Sequence, residues 1–146
     1  MFKELLARLL APAPEPLSDE GARMALTALL VRIARSDHNY SEVEKDRIDR
    51  IICTRFGQDT GGAIILREQA EALEAEAPDT VRFTRAIKEA VAFEDRIGVV
   101  EALWQVVMAD GHRDVGEDAL MRLTANLLGV SDVESAKARK RVEAAT

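Results

Sequence analysis

The sequence predicts an all-α protein, a single-domain helical bundle of about seven core helices with an internal pseudo-twofold repeat, plus a short N-terminal amphipathic helix. Two observations predict it. Apolar residues make up 47% of the chain but aromatic residues only 4%, so the core must be aliphatic, a composition that packs helices better than sheets. The stretch from Arg35 to Phe56 is also echoed by Ala109 to Leu128, roughly 73 positions later. In each copy an apolar run ends at an Asp (Asp37, Asp110) and a short polar turn follows. A Glu then stands seven residues on (Glu44, Glu117), and a helical apolar stripe closes at Gly57 or Gly129.

Residues 1–10 place Phe2, Leu5, Leu6, Leu9 and Leu10 on one helical face, which predicts a short amphipathic helix. Residues 11–17 hold three of the four prolines, so this linker should be extended and stiff. The helical domain is expected over 18–146. Ser18 is a reasonable N-cap, and from Ala22 to Ala34 only Arg23, Thr27 and Arg32 interrupt the apolar residues. Ile97 to Ala109 is apolar almost all round in the same way, so these two helices should lie at the centre.

Each central helix leads into a turn and an amphipathic helix. Ser41-Glu42-Val43-Glu44 reads as a capping box, with Ile48, Ile51, Ile52 and Phe56 as the buried stripe and Gly57 as a left-handed C-cap. Asp114 to Glu117 repeats the spacing, with Leu120, Met121, Leu123, Thr124, Leu127 and Leu128 as the stripe and Gly129 as its end. Between the copies, Ala63 to Glu76 carries Ile65, Leu66, Gln69, Ala70 and Leu73 at helical spacing before Pro78 stops it. Asp79 should cap a helix over Thr80 to Ala92, with Val81, Thr84, Ile87 and Val91 on one face. Ser131 to Glu134 opens a last helix.

Composition narrows the function classes. A formal charge of −6, with no basic face carrying interleaved aromatics, disfavours nucleic acid. The single cysteine, Cys53, makes no internal disulfide, no signal peptide is readable, and no run of about 18 apolar residues exists to span a membrane. The cytoplasm is the expected compartment. There is no Cys-x-x-Cys, no His-Glu-x-x-His and no Gly-rich phosphate loop. His38 and His112 read as solvated turn residues, and Cys53 as a buried, inert thiol. The basic cluster Lys137, Arg139, Lys140 and Arg141 is accounted for by the dipole of the last helix.

Ala109-Asp110-Gly111, Glu117 and the closing Leu127-Leu128-Gly129, echoed by Ser36-Asp37 and Glu44, resemble the TerB-like family, the tellurite-resistance B type of small helical bacterial proteins. Within it they resemble the stand-alone proteobacterial members. The resemblance covers roughly residues 22–140. It implies an all-α fold, a link to tellurite and other chemical stress, and acidic residues associated with a metal ion; it implies no enzymatic activity. The family's Asp-Gly and Glu correspond to Asp110, Gly111 and Glu117, and in the first copy to Asp37 and Glu44. There His38 stands where Gly is expected.

Two accounts of these carboxylates stay open. Asp and Ser at helix starts with a Glu three residues later are what caps look like, and acidic first turns suit the helix dipole. A self-contained calcium loop is excluded, because its first and third places would fall on Val106 and Met108, or on Ile33 and Arg35. A divalent cation would therefore draw its oxygen ligands from both copies, from Asp37, Glu44, Asp110 and Glu117 together. The expected function is that of a non-enzymatic domain acting through protein partners. The alternatives are a metal-dependent hydrolytic or redox enzyme, and a purely structural docking module, including a homo-oligomer. Membrane contact, through the N-terminal helix, should be peripheral at most.

Overall fold

The computed structural model describes residues 19–36, 38–77, 79–109 and 115–145; for Asp19 and for residues 115–117 it describes the backbone alone. The helix expected over 1–10 and the linker over 11–17 lie outside the described residues. Within them stand seven helices and no strand: α1 (Asp19–Arg35), α2 (Glu42–Phe56), α3 (Thr60–Glu76), α4 (Val81–Ala90), α5 (Phe93–Val107), α6 (Val115–Leu127) and α7 (Asp132–Ala145).

α1 is the spine. Met24, Ala25, Leu26, Ala28, Leu29, Leu30, Val31, Ile33 and Ala34 are all buried, so it is apolar on nearly every side and packs against α2, α3, α4, α5 and α6. α5 is the second central helix, buried through Val99, Val100, Ala102, Leu103, Trp104, Val106 and Val107, and it touches α1, α2, α4, α6 and α7. Each fully buried Leu, Ile or Val contributes roughly 2 kcal/mol, so helices buried all round outweigh those that bury one stripe. The order of helices repeats: a central helix followed by an amphipathic one, first as α1–α2 and again as α5–α6.

The caps follow local chemistry. Gly57 ends α2 at φ 65°. Gly129 ends α6 at φ 81°, with Gly129 N–H donating to Asn126 O at 3.0 Å and Val130 N–H to Ala125 O at 2.9 Å, the double bond of a Schellman end. Asp59 opens α3 by accepting Gly62 N–H at 2.7 Å, and Asp79 accepts Arg82 N–H at 3.3 Å at the start of α4.

Several expectations are corrected. α3 buries Ala63, Ala70 and Leu73 with Leu66 beside them, and this phase turns Ile65 outward to 58% exposure. α4 stops at Ala90 because Val91 adopts an extended backbone, so the face buried is Phe83, Thr84, Ala86 and Ile87, and Val81 is exposed. α5 begins at Phe93, earlier than the apolar run suggests, with Glu94 and Asp95 in its first turn. Leu123 is exposed on α6, where Met121, Thr124, Ala125 and Leu128 are buried. Cys53 is half-buried against the core. The basic residues of α7 lie in its middle, because the helix runs on to Ala145; Arg141 pairs with Glu101 at 2.7 Å and Arg139 with Glu143 at 3.2 Å. Among the described residues no helix is long and apolar enough to cross a membrane.

Candidate functional site

The first elbow joins α1 to α2 and is built from its own sequence outward. As α1 ends, Ser36 donates through its amide and its hydroxyl to Ile33 O, at 3.2 and 2.7 Å, and His38 N–H donates to Arg35 O at 3.0 Å. His38 has φ 61°, the left-handed conformation that Gly adopts without cost and other residues adopt with strain. This is the backbone reason the repeat pattern expects Gly here. His38 and Asn39 face solvent.

α2 then starts with a complete capping box. Ser41 Oγ accepts Glu44 N–H at 3.2 Å, while Glu44 Oε1 accepts Ser41 N–H at 3.0 Å and the Ser41 hydroxyl at 3.2 Å. Glu44 is 1% exposed, so its carboxylate is held inside the elbow. Glu42 and Val43, beside it in the first turn, face outward.

Tyr40 fixes the elbow against α3. Its hydroxyl donates to Glu71 Oε2 at 2.6 Å, and its ring lies 5.1 Å from the Arg35 guanidinium and 5.0 Å from the Lys45 ammonium. Burial, then the hydrogen bond to Glu71 and the charge of Glu71, push the phenol well above its ordinary value. Arg67 closes the set, with Nε donating to Asp49 Oδ1 at 2.6 Å and Nη1 to Glu71 Oε2 at 2.9 Å. Burial pulls the Arg67 guanidinium down, and the bonds and charges of Asp49 and Glu71 outweigh it, so it sits above its ordinary value.

The network continues inward. Glu74 bonds Arg32 at 3.0 Å and Arg35 at 2.7 Å, and Arg32 also donates to the carbonyls of Glu74 and Ala77 at 3.1 and 2.9 Å while lying 5.3 Å from the Phe83 ring. Charges this buried cost stability unless paired, and here every arginine has carboxylate or carbonyl partners. Arg96 does the equivalent for the second half: Nε donates to Val91 O at 3.1 Å and Nη1 to Leu128 O at 3.0 Å, closing the ends of α4 and α6 together. Sequence reading missed Arg32, Arg67, Glu71, Glu74 and Arg96. The signal for the first is a charged residue in an otherwise apolar helix, and for Arg67 with Glu71 the four-residue spacing.

Of the four carboxylates that the sequence pools for a cation, the structure describes Glu44, and places it in the cap. Asp37 and Asp110 lie outside the described residues, as does the side chain of Glu117. On the backbone Glu44 is the third residue of α2 and Glu117 the third residue of α6, so the two copies agree in register. Among the described residues no group of three or more His, Cys, Asp and Glu side chains could hold a metal ion.

Residues 23–140 match the family model described as Tellurite resistance protein TerB. The chain belongs to the TerB family. No curated protein and no solved structure matches it. The TerB match starts in the second turn of α1 and ends within α7, so it takes in both elbows and the full network that fixes the first one.

Proposed function

We propose that this TerB-family chain is a non-enzymatic, cytoplasmic domain that acts in a tellurite or chemical-stress response by presenting its acidic elbows to protein partners. The observation that carries the reading is the locked first elbow. Tyr40 bonded to Glu71, and Ser41 boxed with Glu44, hold the turn rigid while His38, Asn39, Glu42 and Val43 stay at the surface. A preorganised surface of this kind loses little conformational entropy on docking.

The test is complementation of tellurite sensitivity in a host lacking the gene. A Glu42→Arg/Val43→Asp variant alters only exposed positions and should fold with an unchanged helical spectrum yet fail to restore resistance. Full restoration by that variant overturns the reading.

A bound divalent cation is the second reading, resting on the matching register of Glu44 and Glu117 as third residues of α2 and α6. Hard oxygen donors of this kind suit calcium or magnesium, with Asp37, Glu44, Asp110 and Glu117 as ligands. Calorimetric titration with calcium, magnesium, manganese and zinc should give saturable binding that Asp110→Ala removes. Absence of saturation in the micromolar to low millimolar range sinks it.

A further inference from the structure

A cleft of about 610 Å3 opens between α2 and α5, with Ala145 of α7 also lining it. Arg47, Arg50, Ile51, Thr54 and Arg55 line it from α2 and Gln105 from α5. The α2 positions follow helical spacing, so Arg47, Arg50 and Thr54 stand on one face, and from Arg47 to Arg55 the stripe covers about 12 Å of helix axis. We infer that this cleft binds a soluble, multiply charged phosphate-type oxyanion, such as a polyphosphate or a polyphosphorylated small molecule.

Three lines of argument lead there. First, among the described residues none of the three guanidiniums is engaged in an ion pair, and the carboxylate acting on them at longer range is Glu101, on Arg55. Arg32, Arg35, Arg67, Arg122, Arg139 and Arg141 all hold a carboxylate, whereas Arg47, Arg50 and Arg55 make no ion pair or hydrogen bond among the described residues, and no carboxylate among those residues lines the cleft. In a chain with 26 acidic residues and 20 basic ones, three neighbouring arginines without partners are a local choice that the overall charge does not explain. Three acids on the same helices are paired with other cations: Asp49 with Arg67, Glu42 with Lys45, and Glu101 with Arg141.

Second, the Arg55 guanidinium lies close against the backbone of α5. Its Nη1 lies where a side chain at Gly98 would stand, 3.2 Å from an ideal Cβ, so the absence of a side chain lets the guanidinium lie across α5. Desolvation there pulls its pKa below the ordinary value, with Glu101 acting the other way, and an anion in the cleft would relieve that cost.

Third, the lining selects the ligand class. Planar guanidinium forks match phosphate oxygens in pairs, and the Thr54 hydroxyl and Gln105 amide add uncharged donors. Among the described residues no aromatic side chain lines the cleft to stack a base, and Ile51 with Ala145 offers too little apolar surface to anchor a peptide. The volume is that of a small-molecule site.

The test is titration of the full-length protein with sodium tripolyphosphate at low salt, followed by amide correlation NMR. Saturable shifts should be confined to residues 47–55, 98–105 and the neighbourhood of Ala145, and the affinity should fall by at least about ten-fold in Arg47→Gln/Arg50→Gln, since each lost charged bond is large enough to do so. Arg122→Gln, an exposed arginine on α6, should bind as the unaltered protein does. Arg50→Glu, a single change at an exposed position, gives the same readout if the double variant does not fold. The inference is overturned if no saturable shift appears, or if the shifts survive in these variants. It is equally overturned if a decaglutamate peptide or phosphatidic-acid vesicles engage these residues while tripolyphosphate does not.

Discussion

Replacing Arg32 by Met tests whether the buried network carries stability as well as shape. The Arg32 and Glu74 side chains are only 14% and 13% exposed, so solvent screening is weak. Met keeps most of the aliphatic stem and its packing against Phe83, which leaves the polar loss as the main effect. That loss is one bond to Glu74 Oε2 at 3.0 Å, two to the carbonyls of Glu74 and Ala77 at 3.1 and 2.9 Å, and a longer one to the Thr80 hydroxyl at 3.4 Å. Breaking a buried pair costs roughly 3–5 kcal/mol. Glu74 keeps Arg35 at 2.7 Å, so its carboxylate is not orphaned and the lower end applies. The expected loss is about 3 kcal/mol, or roughly 10 °C in Tm for a chain of this length. The comparison is Arg141→Ala, whose bond to Glu101 is as short at 2.7 Å but whose side chain is half exposed, and which should cost under about 1 kcal/mol. Urea unfolding followed by the single tryptophan, the buried Trp104, reads both. Equal losses in the two variants, or a loss below about 1 kcal/mol for Arg32→Met, would refute the claim that burial rather than bond length sets the magnitude.

Tyr40 is the only tyrosine, so its ionisation can be followed by absorbance without overlap. Its folded pKa is raised, so the stability it contributes is complete below the ordinary tyrosine pKa of about 10 and is lost as the pH rises above it. Tyrosinate should appear together with the loss of native Trp104 fluorescence; ionisation near pH 10 in a still-folded protein would contradict the clamp by Glu71. His38→Gly should relieve the left-handed strain and gain up to about 1 kcal/mol, while Gly57→Ala should lose about 1 kcal/mol from strain alone, since no atom lies within 4 Å of the added Cβ. Thr124→Val should raise stability by about 1 kcal/mol, because the buried Thr124 hydroxyl has no hydrogen-bond partner among the described residues; denaturation midpoints decide each case.

Much of the fold is legible because helices are local. The all-round apolar runs on α1 and α5 identify the central pair, the Ser41 and Glu44 spacing gives the capping box, and Gly57 and Gly129 mark the ends they occupy. The errors share one cause. Apolar character alone turns Ile65, Val81 and Leu123 inward, yet which face of an amphipathic helix is buried depends on the neighbours it meets. α4 likewise ends at Ala90 where Arg96 holds the Val91 carbonyl, a residue outside that helix.

The candidate site divides in the same way. That Glu44 caps α2 follows from short-range spacing and is readable from the chain; that His38 takes a positive φ is seen only in the structure. That Arg35 and Arg67 converge with Glu71 about Tyr40 and Arg32 joins Arg35 on Glu74, while Arg47, Arg50 and Arg55 are left to face an open cleft, is not readable from the chain either. Every charged side chain looks alike in a sequence, and whether it finds a partner depends on helices dozens of residues apart being brought into contact. The helices, their caps and the family are therefore written in the order of residues. Which charges cancel and which remain to bind is settled on folding, because pairing energy depends on distance and burial that no local pattern encodes.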